Sequence, residues 1–118
     1  MPLKVNLTQL RHESDRLLSI CRYPDDEVKM MEEAIYAYVS LYDQDFLKEI
    51  KLYYHDDANA LKWVDFFEID LKQLRIDVVA INFSTITKVH LQRLKKSVIE
   101  LLVAQQEYLF PLLERVKS

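Results

Sequence analysis

Apolar residues recur along most of this chain at alternating spacings of three and four, the mark of amphipathic helices packed side by side. Leu7, Leu10, Leu17, Leu18 and Cys21 share one stripe of a first segment, about Leu3 to Cys21, with Arg11, Glu13, Asp15 and Arg16 opposite. Pro24 interrupts the pattern, because a residue preceding proline avoids helical backbone. Asp25, Asp26 and Glu27 then place negative charge where a helix N-terminus favours it. Val28, Met31, Ile35, Tyr38 and Tyr42 form the main stripe of a second segment, and Met30, Ala34, Ala37 and Leu41 form an adjoining one. Two apolar stripes on one helix predict two packing neighbours.

A third segment opens near Asp43–Asp45, with Asp45 as the expected N-cap. Phe46, Ile50, Tyr53, Asp57, Ala60, Val64 and Phe67 hold one register and predict a single long helix to about Glu68. The alternative is a break at His55-Asp56-Asp57-Ala58-Asn59, since Asp and Asn are poor helix formers. A fourth segment covers about Asp70 to Phe83, striped by Leu71, Leu74, Val78 and Ile81 and widened by Ile76, Ala80 and Phe83. Whether residues 43–83 make one helix or two stays open, because no Gly or Pro separates the segments. Ser84-Thr85-Ile86-Thr87 is the next expected break, its hydroxyls each offering an N-cap oxygen. From Ile86 to the C-terminus, Leu91, Leu94, Val98, Leu101, Gln105, Tyr108 and Leu112 repeat, with Pro111 expected to kink or end the helix.

A mean spacing of 3.5 favours near-antiparallel helix packing. The expected fold is therefore all-α: a single-domain antiparallel, up-and-down four-helix bundle over residues 1–118, with room for an extra short helix at the N-terminus. Composition strengthens this. The chain has no glycine in 118 residues, where an average sequence carries about eight. Tight hairpins and phosphate-cradling loops need positive-φ glycines, so a hairpin-rich sheet, a dinucleotide fold and a P-loop are disfavoured. Hydrophobic content of 50% and charged content of 30% suit a folded chain. No apolar run approaches the roughly 20 residues of a membrane span, and the polar start carries no signal peptide. The expected setting is cytoplasmic, without membrane association.

The residues exclude more chemistry than they suggest. A net charge of −3 argues against nucleic acid as a partner. None of His12, His55 and His90 has a Glu three residues before it, so the Glu-x-x-His pairs of carboxylate-bridged metal bundles are missing. Glu32-Glu33 is followed at Glu-x-x-Glu spacing by Ile35 and Tyr36, which cannot ligate magnesium. The lone Cys21 lies on an apolar stripe and reads as a small buried hydrophobe. No catalytic residue, cofactor or metal ligand is assigned. What remains is contact surface. Lys88, Arg93, Lys95 and Lys96 form a basic run, and Tyr54 and Trp63 lie off the main stripes, with Trp and Tyr enriched at protein interfaces.

Tyr42-Asp43-Gln44-Asp45-Phe46-Leu47-Lys48-Glu49-Ile50-Lys51, then Tyr53 and Trp63, resembles the YppE-like family of small bacterial proteins. Gln73-Leu74, Phe83, Thr87, Lys95, Ser97 and Val98 extend the resemblance over roughly residues 42–100. It implies an up-and-down four-helix bundle of uncharacterised function and brings no catalytic residue with it.

The sequence thus points to a non-enzymatic, protein-binding adaptor or regulator that presents a helix face to an unidentified protein partner, through Tyr54, Trp63, Lys88, Arg93, Lys95 and Lys96. A homodimer is a further expectation, since the second and fourth segments are broadly apolar. The alternative is a small-molecule or metal-binding bundle with a pocket near Tyr53, Asp57 and Trp63, which requires Asp57 to face a cavity.

Overall fold

The computed structural model describes residues 6–22 and 28–117, and every regular element among them is helical. The helices are α1 (Leu7–Arg22), α2 (Val28–Ser40), α3 (Gln44–Tyr53), α4 (Ala58–Ala80), α5 (Lys88–Ala104) and α6 (Phe110–Lys117). A π-helical turn, Gln105–Leu109, joins α5 to α6 without interruption. At about 1.5 Å per residue this final continuous helix is about 45 Å long, which matches the molecule's long dimension of 45 Å against 23 and 22 Å across. α1 packs on α2 and α5, and α4 packs on α2, α3 and α5. One buried cluster joins residues of every helix, from Leu7 to Leu113. The segment from Pro24 to Glu27, with its acidic run, and the chain before Asn6 lie outside the described residues.

Helix starts are set by side-chain oxygens. Asp43 accepts from the Phe46 N–H at 2.7 Å, Asp57 from Ala60 N–H at 3.1 Å and Thr87 from His90 N–H at 3.2 Å. The cap of α3 is therefore Asp43 rather than Asp45. Helix ends are made without glycine: Tyr54 closes α3 at φ −102°, ψ 24°, and Ile81 closes α4 at φ −83°, ψ 131°. No described residue has a positive φ.

Four expectations are corrected. The long helix to Glu68 is two helices, broken at Tyr54–Asp57, and the break discharges Asp57 from the core stripe into a capping role. Tyr54 takes the inward place expected for Tyr53, which is exposed. No boundary falls at Asp70, because α4 runs unbroken to Ala80. Met30, Ile76 and Ala80 face outward and drop out of the widened stripes, whereas Ala34 is buried and Leu41 and Phe83 pack partly buried against the core. α3, of ten residues, lies in the middle of the chain.

The last helix departs from its predicted phase at one place. Pro111 has no N–H, and in a regular α-helix its ring would press on the carbonyl of residue 107. The chain widens just before it: the Phe110 N–H donates to the Gln105 carbonyl, five residues back. One extra residue in that turn rotates the rest of the helix relative to α5. Leu109 points inward, and Tyr108, expected inward, is exposed. The helix neither ends nor needs to.

The regular phase of α5 carries Gln105, where that turn begins, to the centre of the core. Its Oε1 accepts from the hydroxyls of Tyr38, at 2.7 Å, and Tyr42, and its Nε2 donates to Ser14 Oγ at 2.9 Å. Ser14 Oγ donates in turn to the Leu10 carbonyl at 2.6 Å. Burial pushes both tyrosine hydroxyls well above their ordinary range, so they serve as neutral donors. Arg75 on α4 donates Nη2 to the carbonyls of Val39, at 3.1 Å, and Tyr42, where α2 ends, placing a cation at the negative end of that helix.

Candidate functional site

α4 is apolar on two opposite faces. Successive residues turn by about 100°, which places Ala60, Val64, Phe67, Leu71, Leu74 and Val78 on one buried stripe. The same rotation places Ile69 and Ile76 across the helix from it, with Phe66 about 120° round to one side and Val79 about 100° round to the other. These four side chains are 50%, 61%, 62% and 78% exposed. A helix that is hydrophobic all round is ordinarily buried all round. Here one side is packed and the other is open.

An aromatic ladder adjoins the upper end of this stripe. Trp63 lies half-buried and stacked on Tyr108, ring centres 4.0 Å apart and planes 8° apart. Phe66 follows at 6.1 Å from Trp63, and Lys62 Nζ stands 5.6 Å from the Trp63 ring and 5.9 Å from the Phe66 ring. Trp63 was legible as a surface aromatic from its place off the core stripe. Phe66, Ile69, Ile76 and Val79 were not, although apolar residues around the whole circumference of one long segment are the signal that finds them.

Of the other sequence-predicted residues, Tyr54 is buried and donates its hydroxyl to the Leu112 carbonyl, so it ties α3 to α6 and offers no surface. The basic run does not form one face. Lys95 lies toward α1, where it acts on Cys21, and Lys88 opens α5 two turns before it. Arg93 projects roughly 160° away from Lys95 around α5, and Lys96 lies between them on the outer side. Arg93 lines an open cleft of about 510 Å³ between the end of α4 and the start of α5, with Asp77, Asn82, Thr85, His90 and Ser97. His90 and Ser97 are two turns apart, about 10 Å along the helix, beyond the hydrogen-bond reach that nucleophile and base need.

The pocket expected near Tyr53, Asp57 and Trp63 lacks its central residue. Asp57 spends its carboxylate on the Ala60 N–H, and His55 is exposed and paired with Asp56 at 3.0 Å. Among the described residues no group of three or more His, Cys, Asp or Glu is placed to hold a metal ion. Cys21 is buried, and burial pushes its thiol up to about 11 against the opposing pull of Lys95, so it is no thiolate at neutral pH. No helix among the described residues is long and apolar enough to cross a membrane. Compared with protein-family profiles, with curated proteins and with solved structures, the chain has no match.

Proposed function

We propose that this chain is a non-enzymatic, protein-binding adaptor or regulator of the cytoplasm, and that the outer face of α4 is its docking surface. The observation that carries the reading is the set of apolar residues on the outer side of α4, Phe66, Ile69, Ile76 and Val79, which the fold leaves uncovered. Trp63 and Tyr108 add the residue types that dominate binding energy when a partner desolvates them. On this reading α1, α2, α4 and the α5–α6 helix form an up-and-down four-helix bundle, with α3 as a brace. That agrees with what the resemblance to the YppE-like family implies, and it gives α4 a rigid support.

The basic residues of α5 play a lesser part, since they diverge around the helix. The test is capture of partners from native lysate by tagged wild-type chain, by Ile69→Lys with Ile76→Lys, and by Lys95→Glu with Lys96→Glu. A stoichiometric partner lost with the isoleucine pair and kept with the lysine pair is the expected result. A partner lost only with the lysine pair would move the surface to α5.

A further inference from the structure

The cleft between the end of α4 and the start of α5 is built by spacing. His90, Arg93 and Ser97 follow one another on α5 at steps of three and four, so they share a side of that helix. Asp77, Ala80 and Ile81 end α4 at steps of three and one and line the cleft from the other wall. The connection between the helices is held in shape by its own bonds: Asn82 Oδ1 accepts from the Ser84 N–H at 3.0 Å, the Asn82 carbonyl accepts from the Thr85 N–H at 3.1 Å, and Thr87 caps α5. The resulting volume of about 510 Å³ lies within the roughly 300–1,000 Å³ of small-molecule sites. Ala80, Ile81, Ile86 and Leu94 make its apolar part, while Asp77 and Arg93 charge its two walls with opposite signs. These two charges do not pair with each other. Asp77 Oδ1 takes the Gln73 Nε2–H at 2.9 Å and leaves Oδ2 unspent, and among the described residues the Arg93 guanidinium has no ion-pair partner.

We propose that this cleft binds a free α-amino acid with an apolar side chain. The planar fork of Arg93 matches a carboxylate through two parallel hydrogen bonds. Asp77 Oδ2 supplies an acceptor for an ammonium group. An α-amino acid carries both charges on one carbon, so one small ligand answers two side chains that leave each other unpaired. Its apolar side chain leaves water against Ala80, Ile81, Ile86 and Leu94. Other ligand classes fit less of the lining. A simple anion is repelled by Asp77 and a simple cation by Arg93. A neutral apolar molecule strips water from both charges and gives neither a partner. The inference does not rest on the outer side of α4.

The experiment is titration of the full chain with L-leucine, L-methionine and L-phenylalanine, followed by NMR of the backbone amides. At least one of the three should give saturable shifts at up to millimolar concentration, concentrated between Ala80 and Ser97. The amide and the N-acetyl derivative of that amino acid, which lack the carboxylate and the ammonium respectively, should each bind about tenfold or more weakly. Arg93→Gln should weaken binding by about tenfold to 100-fold, with helical circular dichroism unchanged because Arg93 is exposed. Asp77→Asn keeps an acceptor for Gln73 and should weaken binding about tenfold. The absence of saturable shifts with all three amino acids overturns the proposal. So does binding that survives Arg93→Gln, or that the N-acetyl derivative reproduces at full strength.

Discussion

The Tyr38 hydroxyl donates to the side-chain oxygen of Gln105 at 2.7 Å, joining residues 67 positions apart in the chain. Tyr42 shares the same acceptor, and Ser14 takes the other end of the amide. Removing Gln105 takes away the acceptor that both buried tyrosine hydroxyls share, which costs more than the bonds themselves contribute. Gln105→Leu should therefore destabilise the protein by about 2–4 kcal/mol in urea denaturation. Adding Tyr38→Phe, Tyr42→Phe and Ser14→Ala to it should recover much of that loss, because a fully apolar core leaves nothing unpaired. A quadruple variant as weak as the single one would contradict this account.

The π-helical turn makes opposite demands on adjacent residues. Leu109→Asp places a charge in the core and should cost more than about 3 kcal/mol or abolish cooperative melting. Tyr108→Asp loses the stack on Trp63 and should cost about 1 kcal/mol. An uninterrupted α-helical phase through this region would reverse the order, so thermal melts of the two variants decide between the geometries.

Asp57→Ala should cost about 1 kcal/mol through loss of the α4 cap, and Asp57→Asn or Asp57→Ser should restore most of it. A metal-holding or ligand-holding carboxylate would not be rescued by serine. Chemical denaturation of the three variants makes the comparison.

Stability should fall as pH rises above 9. Burial moves the Cys21 thiol from its ordinary 9.0 to about 11. Below pH 9 the thiol is protonated whether the chain is folded or not. Between pH 9 and 11 the unfolded chain releases its proton first, so unfolding becomes more favourable by on the order of 2 kcal/mol across that window. Tyr38 and Tyr42, also raised by burial, carry the loss further into alkali. Cys21→Ala should flatten the decline between pH 9 and 10 and leave the part above pH 10, where unfolded Tyr38 and Tyr42 begin to ionise, largely in place.

Helical periodicity made most of the core legible: Leu17, Met31, Ile35, Val64, Leu71 and Val98 are all buried where their stripes place them. Two things escaped it. A stripe continues smoothly across a helix break when the residue count happens to suit it, so Phe46 through Phe67 read as one helix although Asp57 caps a new one. A π-helical turn also shifts phase without changing composition, and Pro111 announced a disturbance there without saying which kind. The surface was harder still. Hydrophobic patterning assigns apolar residues to the interior, so Ile76 was drawn inward, and the open face of α4 emerged only once the other helices were seen to pack elsewhere. Lys88, Arg93, Lys95 and Lys96 are neighbours in sequence and dispersed in space, because a helix turns adjacent residues apart.

The absence of glycine has a consequence on the other side of the folding equilibrium. Each glycine in a chain gives the unfolded ensemble extra conformations, worth roughly 0.5–1 kcal/mol apiece relative to alanine. A glycine-free chain begins from a more restricted disordered state and has less entropy to surrender on folding. Part of this protein's stability therefore resides in conformations that its unfolded form never had, and no inspection of contacts in the folded form would find it.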